Sequence, residues 1–396
     1  MGLQLAERVA RMSPSPTMAI DAKAKSLAAQ GLDVVNFGAG EPDFDTPAHI
    51  AEAGIEAIRQ GKTRYTATGG TAELKAAVIE RLRIEVGHRY EPAEVLISVG
   101  AKHSLYNAIM AIVSPGDGVL LPVPYWVSYP EQIRLADGEV EAVPIRRADG
   151  VLTRADLEAR VTSRSRGIIL NSPSNPSGAV IPPEELQAIA QFAIERDLWV
   201  ISDEIYGRLV YDDAQQVSIA SFPGMRERTL VINGVSKAYA MTGWRIGYAA
   251  GPRQIIEAMS SLQSQSTSNP TSIAQAAAQA ALTGPQEAVE AMRQEFDRRR
   301  RFAVERINQI RGLKAAVPKG AFYLWVDMSG LVGQTIAGRR IENADDLALA
   351  WLEEARVAVV PGSGFGVPHF FRLSYATSLE RIATGLERMA ALVEAG

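Results

Sequence analysis

The chain has 396 residues, too many for one hydrophobic core of ordinary size, and with 47% hydrophobic and 22% charged residues it reads as globular. A formal net charge of −4 without any rich basic stripe excludes an electrostatic footprint for nucleic acid or a membrane surface, so small molecules are the expected partners. The absence of cysteine excludes disulfides and thiolate zinc sites, and His49, His88, His103 and His369 stand too far apart for a ligand set, so no metal is expected.

In chain order, the N-terminal "MGLQLAERVARMSPSPTMAI" has no long apolar run and carries Glu7, which reads as a cytoplasmic protein. "GKT" at 61–63 is no phosphate loop, because Glu56 stands where that motif needs glycine. Short apolar runs then recur: "EVLISVG" (94–100), "GVLLPVPY" (118–125), "GIILNSP" (167–173), "LWVISDE" (198–204), "TLVING" (229–234) and "IGYAAG" (246–251). Without polar alternation they suit strands covered on both faces, the pattern of a parallel sheet. Between the first two lies "AKHSLYNAIMAIVSPGD", where Leu105, Ala108, Ile109 and Ile112 share a helical face before a Ser-Pro-Gly-Asp stop. This predicts a doubly wound α/β unit. From about 286 the pattern changes to a long charged helix (286–310) and three strand-like runs, "GAFYLWVDMS", "VAVVPGSGFG" and "FFRLSYATS", which with the N-terminal segment suggest a smaller α+β domain. "DRRRR" at 297–301 has acidic neighbours on the same helix and reads as a solvated or ion-paired face.

Ligands of open α/β sheets sit at the carboxyl ends of the strands, so the residues after each strand matter most. Gly100-Ala101-Lys102 offers helix N-terminal amides to an anion such as phosphate. Trp126 is a flat stacking surface, and Asn175 sits in the Pro/Gly-held loop "SPSNPSG". Asp203 and Tyr206 follow the next strand, Ser236 and Lys237 the one after, and Arg245 precedes the last. A phosphate cradle, an aromatic plate, a carboxylate, a phenol, an amide and a lysine are the parts that hold pyridoxal 5′-phosphate, which needs a lysine for its Schiff base and an acidic partner for its ring nitrogen.

The chain resembles a class I pyridoxal-phosphate aminotransferase of fold type I, in the bacterial and plant branch of aspartate aminotransferases. The resemblance covers nearly the whole chain and rests on "AGEPDFDTP" (39–47), "RYTATGG" (64–70), "PYWVSYPE" (124–131), "NSPSNPSGAV" (171–180), "SDEIY" (202–206), "NGVSKAYAMTGWRIGY" (233–248) and "FRLSYATS" (371–378). It implies a mostly parallel sheet in a large domain, 48–287, and a small α+β domain made of 1–47 and 288–396. It further implies that Lys237 forms the Schiff base, Asp203 pairs with the ring nitrogen, Tyr206 and Asn175 contact the 3′ oxygen, and Trp126 stacks on the ring. Arg245, Ala101, Lys102 and Ser236 would hold the phosphate. Tyr65 would reach the phosphate of the neighbouring subunit, which implies a homodimer with shared sites. Arg372 would clamp the substrate α-carboxylate, with Gly40 closing over the substrate.

Animal-type aspartate aminotransferases carry a second arginine some thirty residues beyond the lysine, and "SLQSQSTSNPTSIAQ" (261–275) has none. Lys102 matches the lysine that replaces it in the bacterial branch, and Thr17 stands where enzymes that also transaminate prephenate carry threonine. The expected reaction is therefore ping-pong transfer from L-aspartate to 2-oxoglutarate, with prephenate as a second acceptor. Aromatic, alanine or kynurenine-type transaminases and lyases use the same scaffold, but Lys102 together with Arg372 argues against them. A non-catalytic regulator that senses the cofactor would need an appended DNA-binding module, for which no room is expected before residue 30 or after 390.

Overall fold

A computed structural model describes residues 3–12 and 16–395, with the side chains of 16–19 and 21 outside the description. Its centre is a seven-stranded sheet built from β1 (Val95–Ser98), β2 (Gly118–Val123), β3 (Glu139–Pro144), β4 (Ser165–Asn171), β5 (Trp199–Asp203), β6 (Thr229–Gly234) and β7 (Gly247–Ala250), in the order β1-β7-β6-β5-β4-β2-β3. β6, β5, β4, β2 and β3 are parallel neighbours, whereas β7 runs antiparallel to both β1 and β6. The sequence pattern predicts "IGYAAG" as one more parallel strand. A buried apolar run carries no sign of its direction, and here residues 235–246 turn the chain back at the same end of the sheet. β3, "EVEAVP", was not expected, because its half-exposed alternation hides it among polar segments.

Successive side chains of each strand point to opposite faces, and both faces are covered. On one face Leu96, Val119, Leu121, Ile169, Ile201, Leu230, Ile232 and Ala249 pack with Leu105, Ala108 and Ile109 of α4, while Ile112 of the same helix lies partly buried against them. On the other, Val95, Ile97, Val231 and Tyr248 meet α3 and α8, and Leu120, Ile168, Leu170 and Val200 meet α6. The helices on these faces are α2 (Ala48–Arg59), α3 (Ala72–Glu85), α4 (Ala101–Ile112), α5 (Ser128–Leu135), α6 (Pro183–Glu195), α7 (Arg253–Ser266) and α8 (Ser272–Thr283), preceded by α1 (Pro16–Ala29). This two-sided burial is the physical reason the strands read as continuous apolar runs.

Beyond α8 the long helix α9 (Glu287–Ile307) leads into an antiparallel four-stranded sheet of β8 (Lys314–Ala315), β9 (Tyr323–Asp327), β10 (Val360–Pro361) and β11 (Phe370–Ser374), in the order β10-β11-β9-β8, and the described chain ends in α10 (Leu379–Glu394). Phe296 of α9 stacks on Phe322 with ring centroids 5.2 Å apart, in a core that also holds Tyr375 and Leu386. The N-terminal segment joins this unit, since Val35–Asn36 pairs in parallel with Val357–Ala358. The arginine run of α9 is ion-paired and partly internal. Arg299 binds Asp43 and Glu295, and the fully buried Arg300 binds Asp212 and Asp297. Among the described residues no helix is long and apolar enough to cross a membrane.

Candidate active site

At the carboxyl end of β1 the backbone turns through Gly100, with φ +83°, into α4, whose N-terminus has no side-chain cap. The first amides of a helix lack internal partners, so those of Ala101 and Lys102 form a ready seat for an anion. Two glycines shape it. A Cβ on Gly100 would stand 2.3 Å from Arg245 Nη2, and a Cβ on Gly247 would stand 2.1 Å from the Ala101 nitrogen. β7 therefore packs backbone to backbone against the start of α4, and the Arg245 guanidinium lies directly over Gly100. Arg245 itself adopts φ +55°, a conformation costly for a side-chain-bearing residue, and its Nη1 donates to the Thr242 carbonyl at 2.7 Å.

Lys237 follows β6 and donates through Nζ to the Gly40 carbonyl of the N-terminal segment. The residue is only partly covered because it forms the cavity wall, but its amine sits within the protein volume, about 6 Å from the rings of Tyr206 and Phe322. Burial first, and then the positive charges of Arg372 and Arg245, push its pKa down to about 8, against the opposing pull of Glu41 and Asp203. Such an amine has a far larger neutral fraction near physiological pH than an ordinary lysine and can act as a nucleophile. Asp203 ends β5 and is buried. Its Oδ2 accepts from Tyr129 Oη at 2.7 Å and its Oδ1 from the Ile205 amide at 3.2 Å. Burial lifts its pKa to about 6, only partly offset by those donors and by Lys237.

The opposite wall comes from the second sheet. Arg372 in β11 lies beside Trp325 of β9 and Val360 of β10. It is buried, and donates through Nη1 to Asn175 Oδ1 at 2.9 Å and through Nη2 to the Gly38 carbonyl at 2.8 Å. Its Nε has no partner, and among the described residues no carboxylate pairs with it. A buried guanidinium without an anion is costly, so this one is prepared for an anionic ligand. Asn175 is set by Asn171, whose Oδ1 accepts the Asn175 amide at 2.8 Å and whose Nδ2 donates to the Asp203 carbonyl at 3.0 Å. Trp126 is half-buried at the mouth, with Lys102 Nζ 4.8 Å from its ring centroid.

One cavity of about 1020 Å³ brings Gly40, Ala101, Lys102, Trp126, Asn175, Asp203, Tyr206, Ser236, Lys237, Arg245 and Arg372 together. Tyr65 does not line it and is 90% exposed, and the side chain of Thr17 lies outside the described residues.

The family model described as "Aminotransferase class I and II" matches residues 32–389. The chain belongs to this aminotransferase family. It is 49% identical to the aspartate aminotransferase of Geobacillus stearothermophilus over 395 residues, 99% of this chain and 100% of that one. It is 48% identical to the aspartate/prephenate aminotransferase of Cereibacter sphaeroides, covering 98% of both chains. The crystal structure of the Rhizobium meliloti aspartate aminotransferase superposes with a TM-score of 0.95 at 44% identity, covering 99% of each chain.

Aminotransferases of this class depend on pyridoxal 5′-phosphate, and the residues present fit that group. The Gly100 cradle closes if a Cβ is added, the buried carboxylate of Asp203 and the Lys237 amine of lowered pKa line the same cavity, and Arg245 overhangs the helix start. The aminotransferase cavity also holds residues that the sequence analysis passed over: Tyr129, Tyr323 and Asn171, with Gly38 beside Arg372. Tyr129 lies within the quoted "PYWVSYPE", but only the pairing of α5 with the end of β5 reveals its partner. Tyr323 and Gly38 carry no local signal at all.

Proposed function

We propose that this aminotransferase moves the amino group of L-aspartate to 2-oxoglutarate, yielding oxaloacetate and L-glutamate by a ping-pong exchange, and works in the cytoplasm as a homodimer. The observation that carries the reading is that, apart from the Lys237 amine and the Arg245 guanidinium beside the anion seat, one cavity holds the buried Arg372 without a carboxylate partner and the Lys102 side chain. Two positive groups facing one space suit a substrate with two carboxylates, and the guanidinium fork suits the α-carboxylate bidentately. Pyridoxal phosphate, when bound, supplies an aldehyde that takes up the amino group and a ring that accepts electrons from the substrate carbon.

The remaining work falls to side chains. Lys237 Nζ would be the amine that holds the cofactor through its aldehyde and, when free, would take up and return a proton beside the substrate Cα. Asp203, held by Tyr129, keeps a proton on the ring nitrogen, and Tyr206 and Asn175 donate to the 3′ oxygen. Arg245, Ser236 and the amides of Ala101 and Lys102 hold the phosphate, Trp126 covers the ring, and Gly40 closes over the substrate. Tyr65, exposed in the single chain, reaches the partner subunit's phosphate. The division into a large domain, 48–287, and a small one, 1–47 with 288–396, belongs to the same reading, as does Thr17 beside the substrate.

Prephenate as a second acceptor is favoured by the name of the Cereibacter sphaeroides relative and by chemistry, since prephenate also carries two carboxylates. The test is the half-reaction of the loaded enzyme, followed by cofactor absorbance, with aspartate, glutamate, phenylalanine and arogenate. Fast conversion by aspartate and glutamate, with arogenate converted at a comparable rate, is expected. Phenylalanine outpacing aspartate would overturn the dicarboxylate reading, and appreciable turnover by Lys237→Ala would overturn the role of the lysine.

A further inference from the structure

Two residues assigned above to different jobs, Tyr206 on the cofactor side and Arg372 on the substrate side, meet through a third. Tyr323 is fully buried, lines the cavity and comes from β9 of the second sheet. Its hydroxyl lies 2.9 Å from Tyr206 Oη, with the two rings edge to face at 5.7 Å. Its ring also supports the Arg372 guanidinium, whose carbon stands 4.5 Å from the ring centroid.

A phenol has one hydrogen to donate, and its oxygen can accept another. Burial raises the pKa of both phenols, most of all for Tyr206, so each keeps its hydrogen at working pH. If Tyr206 aims its hydrogen at the 3′ oxygen, its own oxygen is left to accept from Tyr323, and among the described residues each hydroxyl has only the other as a partner. Accepting a hydrogen bond makes a phenol a better donor, because hydrogen bonds in a chain polarise one another. The cation against the Tyr323 ring acts in the same direction, since it draws charge from that phenol.

Resting on the reading of the cavity given above, we propose that Tyr323 is a positioning residue with two separable actions: its hydroxyl orients and strengthens Tyr206 as donor to the cofactor, and its ring holds the plane of Arg372 for the substrate carboxylate. No step of the transfer passes through Tyr323 itself. It connects the carboxylate clamp on the second sheet to the electron-accepting end of the site on the first.

The test uses the enzyme loaded with pyridoxal phosphate and reads the pH midpoint of its visible absorbance, with succinate as a non-reacting dicarboxylate probe. Tyr323→Phe keeps the ring and its packing and removes the hydroxyl. It is expected to raise the midpoint by about half to one pH unit, a three- to tenfold change in proton affinity, while the Kd for succinate stays within about twofold. In a Tyr206→Phe background the same substitution should add nothing to the shift. Tyr323→Leu, which also loses the ring, should weaken succinate by about tenfold. A midpoint indifferent to Tyr323→Phe, or a shift of the same size without Tyr206, would overturn the relay. Succinate binding unaffected by Tyr323→Leu would overturn the support of Arg372. A wild-type chain that takes up no cofactor would refute the functional reading itself, and this inference with it.

Discussion

At the scale of the residue, the site stores charge in places where the fold alone disfavours it. Asp203 is raised from 3.8 to about 6 by burial. Its cost to the cofactor-free chain is complete above pH 6, where native and unfolded forms are both ionised, and vanishes below 3.8, where both are protonated. Between these values the native chain holds the extra proton, so stability falls as pH rises. Asp203→Asn should therefore stabilise the cofactor-free protein by up to about 3 kcal/mol at pH 8 and by almost nothing near pH 4, as read by denaturant unfolding at the two pH values. The same variant should lose at least about 100-fold in transamination rate. Lys102→Ala should raise KM for aspartate about tenfold more than KM for alanine, the worth of one charge-assisted contact. Equal effects on both amino acids would remove Lys102 from the distal carboxylate. Residues at or just past a strand end, such as Asp203, Lys237 and Gly100, are legible in the sequence because the sheet fixes where strand ends go. Tyr129 and Tyr323 are not, because each acts through a partner far along the chain, Asp203 in one case and Tyr206 in the other.

At the scale of the element, the contact between β7 and α4 decides how well the anion seat forms. Gly247→Ala would press a methyl group onto the Ala101 nitrogen, and backbone cannot yield there as a flexible side chain can. It should cost more than about 2 kcal/mol of stability and loosen the cofactor, measured by thermal melting and by dialysis against pyridoxal phosphate. Gly100→Ala meets the flexible Arg245 instead, but at φ +83° it is strained whatever the space. Its main effect should be on cofactor affinity, weakened by at least about tenfold. The helix face of Leu105, Ala108 and Ile109 is plain in the sequence because amphipathic period and burial agree there. The antiparallel direction of β7 and the existence of β3 are not, because neither a wholly apolar run nor a half-exposed edge encodes its neighbour.

At the scale of the whole molecule, the start and end of the chain converge on the site. Gly38 and Gly40 of the N-terminal segment accept from Arg372 and Lys237, while Asp43 ties the same segment to Arg299 of α9. The arginine run that composition alone would offer to a polyanion makes such internal ties, so its pairing along the helix was legible but its distant partners Asp43 and Asp212 were not. Tyr65, 90% exposed, gives a test of the proposed shared sites. Chains carrying Lys237→Ala and chains carrying Tyr65→Ala should each be poorly active, and mixing them after gentle dissociation should restore activity in hybrid dimers. No gain on mixing would mean that each chain completes its own site.

Because β7 runs against its neighbours, it begins rather than ends at the cavity rim, and the chain passes from β6 to β7 without crossing the sheet. A parallel successor would need a crossover of a dozen or more residues that leaves the rim altogether. Lys237 and Arg245 consequently ride on one connection, residues 235–246, folded into turns and a 3₁₀ segment at Thr242–Trp244, and that connection is a gauge. Its folded shape sets the gap between an amine and a guanidinium, and so measures any ligand that must meet both. A molecule whose aldehyde and anionic group lie closer together or farther apart would touch one and miss the other, and a single residue inserted between 238 and 244 would reset the scale.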